Sequence, residues 1–456
     1  MQKLTAVDII AHLEGNDLVP AIIFRSSRRQ CDLDCFATAQ AAYFRLGHRK
    51  EDAIRQRVKQ ICEEFNLPYD ILSSYRFTEV LVKYGVAPHH AGHLSSWRIL
   101  IEKLMSEGFL RAIFATSTVS AGVDFPARTV VITSLKKKGH FGVNYITPTE
   151  LHQMSGRAGR RGKDKVGFCL FAVESIHDLE IYKKLVNSPP EPLVSWFYPS
   201  PSTILSTLKY RDIQILQQLV QKSFGAFLKA CKAKGDNSSE TIKAKTSQRW
   251  GQKKTLKSYK LKTQQGESEL ERLALVIRKL EEFGFLAETF LTEKGKIGAE
   301  INSSYVVEIV EILSSDLTLI VDSPLSLLSL FGFLSSDYDR NLLNGYPPVP
   351  KQVYPKLNIL VKRVNSAFIG LRPFVTFVDK NASYTVSQWA QAKSWSEFAK
   401  ILDKKSVAIG DVARQISQTI DIMNQLTKLE KIMPDIAYFA EESKKMLLRH
   451  PFSEVV

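Results

Sequence analysis

A chain of 456 residues with 44% hydrophobic content has room for about two to four domains, each with its own core. Its 62 Lys and Arg against 47 Asp and Glu leave a formal charge of +15, a balance that suits a polyanionic partner. Five cysteines, Cys31, Cys35, Cys62, Cys169 and Cys231, form neither a paired framework nor a CxxC knuckle, which predicts no disulfide scaffold and no zinc site and reads as reduced thiols in an intracellular, cytoplasmic protein, with a nuclear or organellar setting as the alternative.

The opening MQKLTAVDIIAHLEG carries acids and no long apolar run, unlike a secretory signal. From there to about Ala172 short β-rich runs alternate with helical ones: AIIF (21–24), GVAPHH (85–90), RAIFAT (111–116), RTVVITS (128–134) and GFCLFAV (167–173). That alternation predicts a parallel sheet flanked by helices. SSWRILIEKLMSEG (95–108) reads as one of those helices, with serines to cap its start and Gly108 to end it. The interval from Arg49 to Tyr84 reads as extra helices with Ile61, Phe65 and Leu67 as apolar contacts.

Proline-rich NSPPEPLVSWFYPSPS (187–202) marks the exit from this first domain, taken as 1–186. A helical pair follows, and then a stretch at about 229–266 rich in Lys and Arg, with Asp236 and Glu240 as its acids before Glu267. It reads as a flexible basic linker, either an arm on phosphates or a solubilising loop. Helical periodicity returns from Glu267 to about Phe285, and TEKGKIGAEINS (292–303) reads as a β-turn-β wing. Residues 305–456 read as an all-helical bundle, in which the apolar stretch Leu317–Leu334, broken by Asp322 and Pro324, is a buried helix pair and not a membrane span. Val407, Val412, Ile416, Ile420 and Met423 recur at helical spacing toward a core, which leaves Arg414 and Gln418 on the opposite face.

The segment QMSGRAGRRG (153–162) carries the most chemistry. Arg157 and Arg160 lie three residues apart among Gly156, Gly159 and Gly162, between predicted strands. Glycine lets backbone approach a phosphate, and guanidinium offers a planar fork of donors that matches its oxygens. A motif on a loop held by rigid strands is a site and not a tail.

Four segments in order, PAIIFRSS (20–27), HHAGH (89–93), ATSTVSAGVDFPA (115–127) and QMSGRAGRRG, resemble the C-terminal half of a superfamily 2 helicase. YPSPSTILSTL (198–208), LTEKGKIGAEINSS (291–304) and the helical stretch 395–426 make it most similar to the superkiller-like DExH-box RNA helicases. The resemblance implies a second RecA-like domain (1–186), a winged-helix domain (187–304) and a helical bundle (305–456). It implies 3′–5′ strand translocation driven by ATP with Mg²⁺, in a cleft shared with a first RecA-like domain in cis or in trans. Arg157, Arg160 and Gln153 would serve the γ-phosphate or its attacking water, and Gly122, Asp124, Gly156 and Gly159 would line the nucleotide. Arg25, Ser26, Ser27, His90, Thr116 and Thr118 would hold single-stranded RNA at the other edge, with His93 beside them and Arg414 and Gln418 in the channel. Trp389 and Trp395 read as core, with base stacking as their other use.

Neither a GxxxxGK[ST] loop nor a DExH-type acidic box occurs in this sequence; the GK pairs at Gly162–Lys163 and Gly295–Lys296 are followed by Asp164 and Ile297. ATP hydrolysis is therefore expected only together with a first RecA-like domain. A non-hydrolytic RNA-binding fragment and the equivalent half of a DNA helicase remain as alternatives.

Overall fold

A computed structural model describes residues 5–117, 126–139, 142–172, 175–195, 197–233, 269–335 and 340–452. The chain forms two units, Met1–Glu191 with Ala408–Ala413, and Pro192–Val407 with Arg414–Val456; the division at Glu191 falls in the proline-rich stretch.

In the first unit the short apolar runs become strands β1 (Ala21–Phe24), β2 (Val86–His89), β3 (Ala112–Ala115), β4 (Thr129–Ile132) and, after a hairpin of β5 (Lys136–Gly139) and β6 (Gly142–Tyr145), β7 (Phe168–Phe171). The sheet order is β2-β3-β1-β4-β7 and every neighbouring pair is parallel. Strands β1 to β4 are buried along their whole length, as apolar runs covered on both faces must be, while β7 at the edge is partly open. Around it run α1 (Ala6–Gly15), α2 (Arg28–Gln40), α3 (His48–Glu64), α4 (Tyr69–Ser73), α5 (Thr78–Tyr84), α6 (Ser95–Glu107), α7 (Pro148–Ser155) and α8 (Ile176–Val186). The extra helices expected between Arg49 and Tyr84 are α3, α4 and α5, with Ile61 buried and Phe65 exposed. The hairpin β5–β6 was not legible, because its Lys136–Lys138 run shows no apolar alternation.

The second unit is largely helical: α9 (Pro201–Leu208), α10 (Ile213–Gln221), α11 (Phe224–Ala233), α12 (Glu269–Glu282), a hairpin of β8 (Leu286–Ala287) and β9 (Phe290–Leu291), then α13 (Glu293–Glu300), α14 (Val306–Leu313) and α15 (Pro324–Gly332). There follow β10 (Leu334–Ser335), α16 (Val353–Ala367), β11 (Phe377–Val378), α17 (Lys380–Gln391), α18 (Trp395–Lys404), α19 (Ile409–Leu426) and α20 (Pro434–Leu447). One apolar cluster runs from Ile204 through Phe285, Ile309 and Phe331 to Ala440. Its only buried ion pair with both side chains under 5% exposed among the described residues joins Arg372 to Glu308 at 2.7 Å, where Thr376 also donates to Glu308.

Two expectations are corrected here. TEKGKIGAEINS is not a β-turn-β wing: Thr292 caps α13 by accepting from the Gly295 N–H at 3.0 Å, and the two-stranded hairpin lies before it, at 286–291. Its glycines serve close packing and not a turn, since a Cβ on Gly295 would stand 2.0 Å from the Phe285 carbonyl oxygen and one on Gly298 2.8 Å from Leu205. The stretch 317–334 yields one α-helix, α15, preceded by a 3₁₀ turn at Asp316–Ile320, because Pro324 starts a helix at its first turn. Of the expected basic linker, residues 234–266 lie outside the described residues.

Candidate functional site

Helix α7 aims the arginine loop. Thr147 accepts from the Glu150 N–H while Glu150 accepts from the Thr147 N–H, and Pro148 occupies the first turn, so the start of the helix is fixed. At its end the Gly156 N–H bonds to the His152 carbonyl at 2.8 Å, and the chain crosses to the amino end of β4. There the Ala127 N–H donates to Arg157 O at 3.0 Å and the Gly159 N–H to Ala127 O at 2.7 Å. Gly159 has φ +91°, and a Cβ on Gly167 would stand 2.5 Å from the carbonyl carbon and oxygen of Ala158, so the return strand presses directly on the loop.

From this frame Gln153 is exposed and Arg157 half-buried. Arg160 is gripped by a carboxylate: its Nε and backbone N–H donate to Asp164 Oδ2 at 2.8 and 2.9 Å, and its Nη2 to Oδ1 at 2.9 Å. The pair is partly covered, with side chains 19% and 4% exposed. Arg160 holds the Asp164 carboxyl down to about 2, mainly through this hydrogen bonding. Guanidinium has five N–H donors, so among the described residues the two on Nη1 and one on Nη2 are left over for a ligand. Gly122, Asp124 and Thr118 lie outside the described residues.

The carboxyl edge of the same sheet gathers the other candidates. Phe24, Ala115 and His89 stand level in β1, β3 and β2, so Arg25, Thr116 and His90, which follow them, come side by side. Ser26 is exposed, and Ser27 caps α2 by accepting from the Gln30 N–H at 3.2 Å. Arg25 turns inward into an ion pair with Asp34 of α2, both side chains under 10% exposed, so a phosphate contact would have to break it.

His90 is buried too. Its Nδ1 accepts from the Gly92 N–H at 3.1 Å, which places the ring proton on Nε2, 3.0 Å from Asp32 Oδ1. His93 Nε2 lies 3.3 Å from the same oxygen and its Nδ1 is 2.7 Å from the Tyr75 hydroxyl, while Arg76 takes Asp32 Oδ2 at 2.8 Å. Burial pushes the His93 imidazole down to about 3, and burial also lowers His90. Burial pushes Asp32 the other way, but bonds from both histidines outweigh it and hold the carboxyl below its ordinary range. Asp32, His90 and His93 converge within metal-ligand distance, but the Gly92 N–H occupies His90 Nδ1 and leaves the proton on Nε2, so the set is a hydrogen-bonded network.

In the second unit, Gln418 is not on an open face. It accepts from Arg340 Nη2 at 3.0 Å and donates to Tyr305 Oη at 3.1 Å and Leu334 O at 2.9 Å, beside the buried Gln415. The polar side of α19 is covered by β10, and Arg414 is half-buried. Trp389 and Trp395 are core: they meet edge to face at 5.8 Å, and Trp389 Nε1 donates to Leu447 O. Sequence reasoning missed Asp164, although its i, i+4 spacing from Arg160 was readable; Asp32 and Asp34 carried no comparable signal.

Residues 7–162, which hold four of the five strands of the parallel sheet and the glycine-arginine loop, match the helicase conserved C-terminal domain. Residues 288–454 match the DSHCT (NUC185) domain. The chain is 33% identical over 240 residues to a chloroplastic DExH-box ATP-dependent RNA helicase, DExH15, of Arabidopsis thaliana, covering 48% of this chain and 20% of that protein. It is 29% identical over 223 residues to the antiviral helicase SKI2 of Saccharomyces cerevisiae (49% and 17%) and 32% over 227 residues to the human exosome RNA helicase MTR4 (48% and 21%). The aligned stretch, about half of this chain, thus spans about a fifth of the length of these relatives. These matches, each over less than half of the chain, liken it to the C-terminal half of the superkiller-like superfamily 2 helicases. No helix among the described residues is long and apolar enough to cross a membrane.

Proposed function

We propose that this chain forms one wall of the ATP cleft of a 3′–5′ RNA helicase and part of its RNA track. The observation that carries the reading is the Arg160 guanidinium, fixed on a glycine loop with three N–H donors unspent among the described residues. Such a donor set fits a polyphosphate. ATP, when bound, supplies the transferable phosphoryl group, and Mg²⁺ belongs with the first RecA-like domain. Arg160, with Arg157, stabilises charge developing on the γ-phosphate, while Gln153 at the end of α7 orients the attacking water. Gly156 and Gly159 admit the phosphates closely.

At the carboxyl edge, Ser26, Ser27 and Thr116 offer hydroxyls and backbone N–H groups to sugar and phosphate, which suits tracking without reading bases. Arg25, His90 and Gln418 act as supports, given their internal partners. The names of the relatives favour RNA over DNA as the strand held. The test is reconstitution: a first RecA-like domain that turns over little ATP alone is mixed with this chain and single-stranded RNA. The reading expects RNA-stimulated ATP hydrolysis to appear, and the absence of stimulation despite complex formation contradicts it.

A further inference from the structure

The geometry points to Asp164 as a positioning residue for Arg160, which makes the glycine loop a two-residue device; this rests on the assignment of Arg160 to the γ-phosphate. Two oxygens of one carboxylate take three donors of one arginine, the backbone N–H, Nε and Nη2. Those bonds span the whole side chain, from its own backbone to its guanidinium, and so remove its rotational freedom. An unrestrained arginine must otherwise lose its rotamer entropy on each encounter with a ligand.

The edge that Asp164 uses also matters. It occupies the Nε–Nη2 side of the fork and leaves Nη1 with the outer hydrogen of Nη2, a second edge of the same plane that accepts a phosphate without giving up the first. A lysine in place of Arg160 has a single ammonium that the carboxylate would engage directly, with no second planar edge for a phosphate, so the Asp164 pairing favours arginine here. The loop supports the same placement: Gly159 at φ +91° and the close approach of Gly167 fix the backbone on which both residues sit. Asp164, with its side chain 4% exposed, is held in this geometry and stays charged throughout the physiological range.

The first test needs no nucleotide. In ¹⁵N NMR of the chain, the Arg160 Nε–H is expected to exchange slowly with water, and in Asp164→Asn at the fast rate of exposed arginines; equal fast exchange in both proteins overturns the proposal. The second uses the chain combined with its first RecA-like domain and RNA. Asp164→Asn is expected to lower kcat about 100-fold, the effect of misplacing a reacting group by ~1 Å. KM for ATP should change little, Asp164→Glu should recover part of the loss, and Asp164→Asn should add nothing on an Arg160→Ala background. A thermal melt of Asp164→Asn within a few degrees of wild type shows that the fold persists. Wild-type kcat in Asp164→Asn with loss in Arg160→Ala overturns the role of Asp164 alone. Wild-type kcat in Arg160→Ala overturns the γ-phosphate assignment as well.

Discussion

HHAGH and QMSGRAGRRG look alike as strings: short, rich in titratable or charged side chains, and placed between strands of one sheet. In the fold they have opposite fates. His90 and His93 are 2–3% exposed, and their ring nitrogens are used by Gly92, Tyr75 and Asp32. Arg160, also held by an aspartate, keeps three N–H donors without a partner among the described residues, at a partly open loop. What separates a structural cluster from a ligand site is the number of donors left after the fold has taken its own, and that number is invisible in a motif.

The largest effect on stability should come from emptying the buried cluster. Asp32→Ala strips a shared acceptor from His90, His93 and Arg76 and should lower unfolding free energy by about 3 kcal/mol, given that each hydrogen bond to a charged group contributes about 1.5–3. A urea titration that finds less than about 1 kcal/mol would mean the cluster is not the anchor described. Gly167→Ala attacks the loop instead. Its Cβ would meet Ala158 at 2.5 Å, and about 2 kcal/mol of overpacking is expected in the same titration, with ATP turnover of the combined motor falling alongside.

Acid separates the two regions more sharply. A buried neutral His93 with its titration near 3 binds no proton in the folded state at pH 5, whereas the unfolded chain, titrating at the ordinary 6.5, does. Stability is therefore full above 6.5 and is lost as pH falls toward 3, by about 2 kcal/mol between pH 7 and 5 from this group. The depressed Asp32 acts in the same direction at lower pH. The Arg160–Asp164 pair, with its acid near 2, contributes no slope in that window. Melting temperatures at pH 7 and 5 for wild type and His93→Gln check this: the slope should shrink in the variant. The smallest effect is at Ser27, where Ala removes the α2 cap at about 1 kcal/mol and weakens binding of fluorescent single-stranded RNA.

Much of the first unit was legible because AIIF, TVVI and AIFA are β-branched or aromatic runs long enough only for buried strands. The side chains just beyond those strands were not legible. Arg25 and Ser26 are neighbours with opposite destinations, set by Asp34 on a helix that the strand itself does not specify. Gln418 was misplaced because a polar helical face looks solvated until β10 and Arg340 come to cover it. Gly295 and Gly298 suggested a turn where the need was for room beside Phe285 and Leu205.

The central claim is that the unspent donors of Arg160 serve a nucleotide completed by another domain. Steady-state ATP turnover at saturating RNA, with the first RecA-like domain paired to wild-type or Arg160→Ala chain, tests it most directly. The account predicts a loss of roughly 10³ to 10⁵ in kcat with RNA affinity unchanged. Turnover equal to wild type would contradict it.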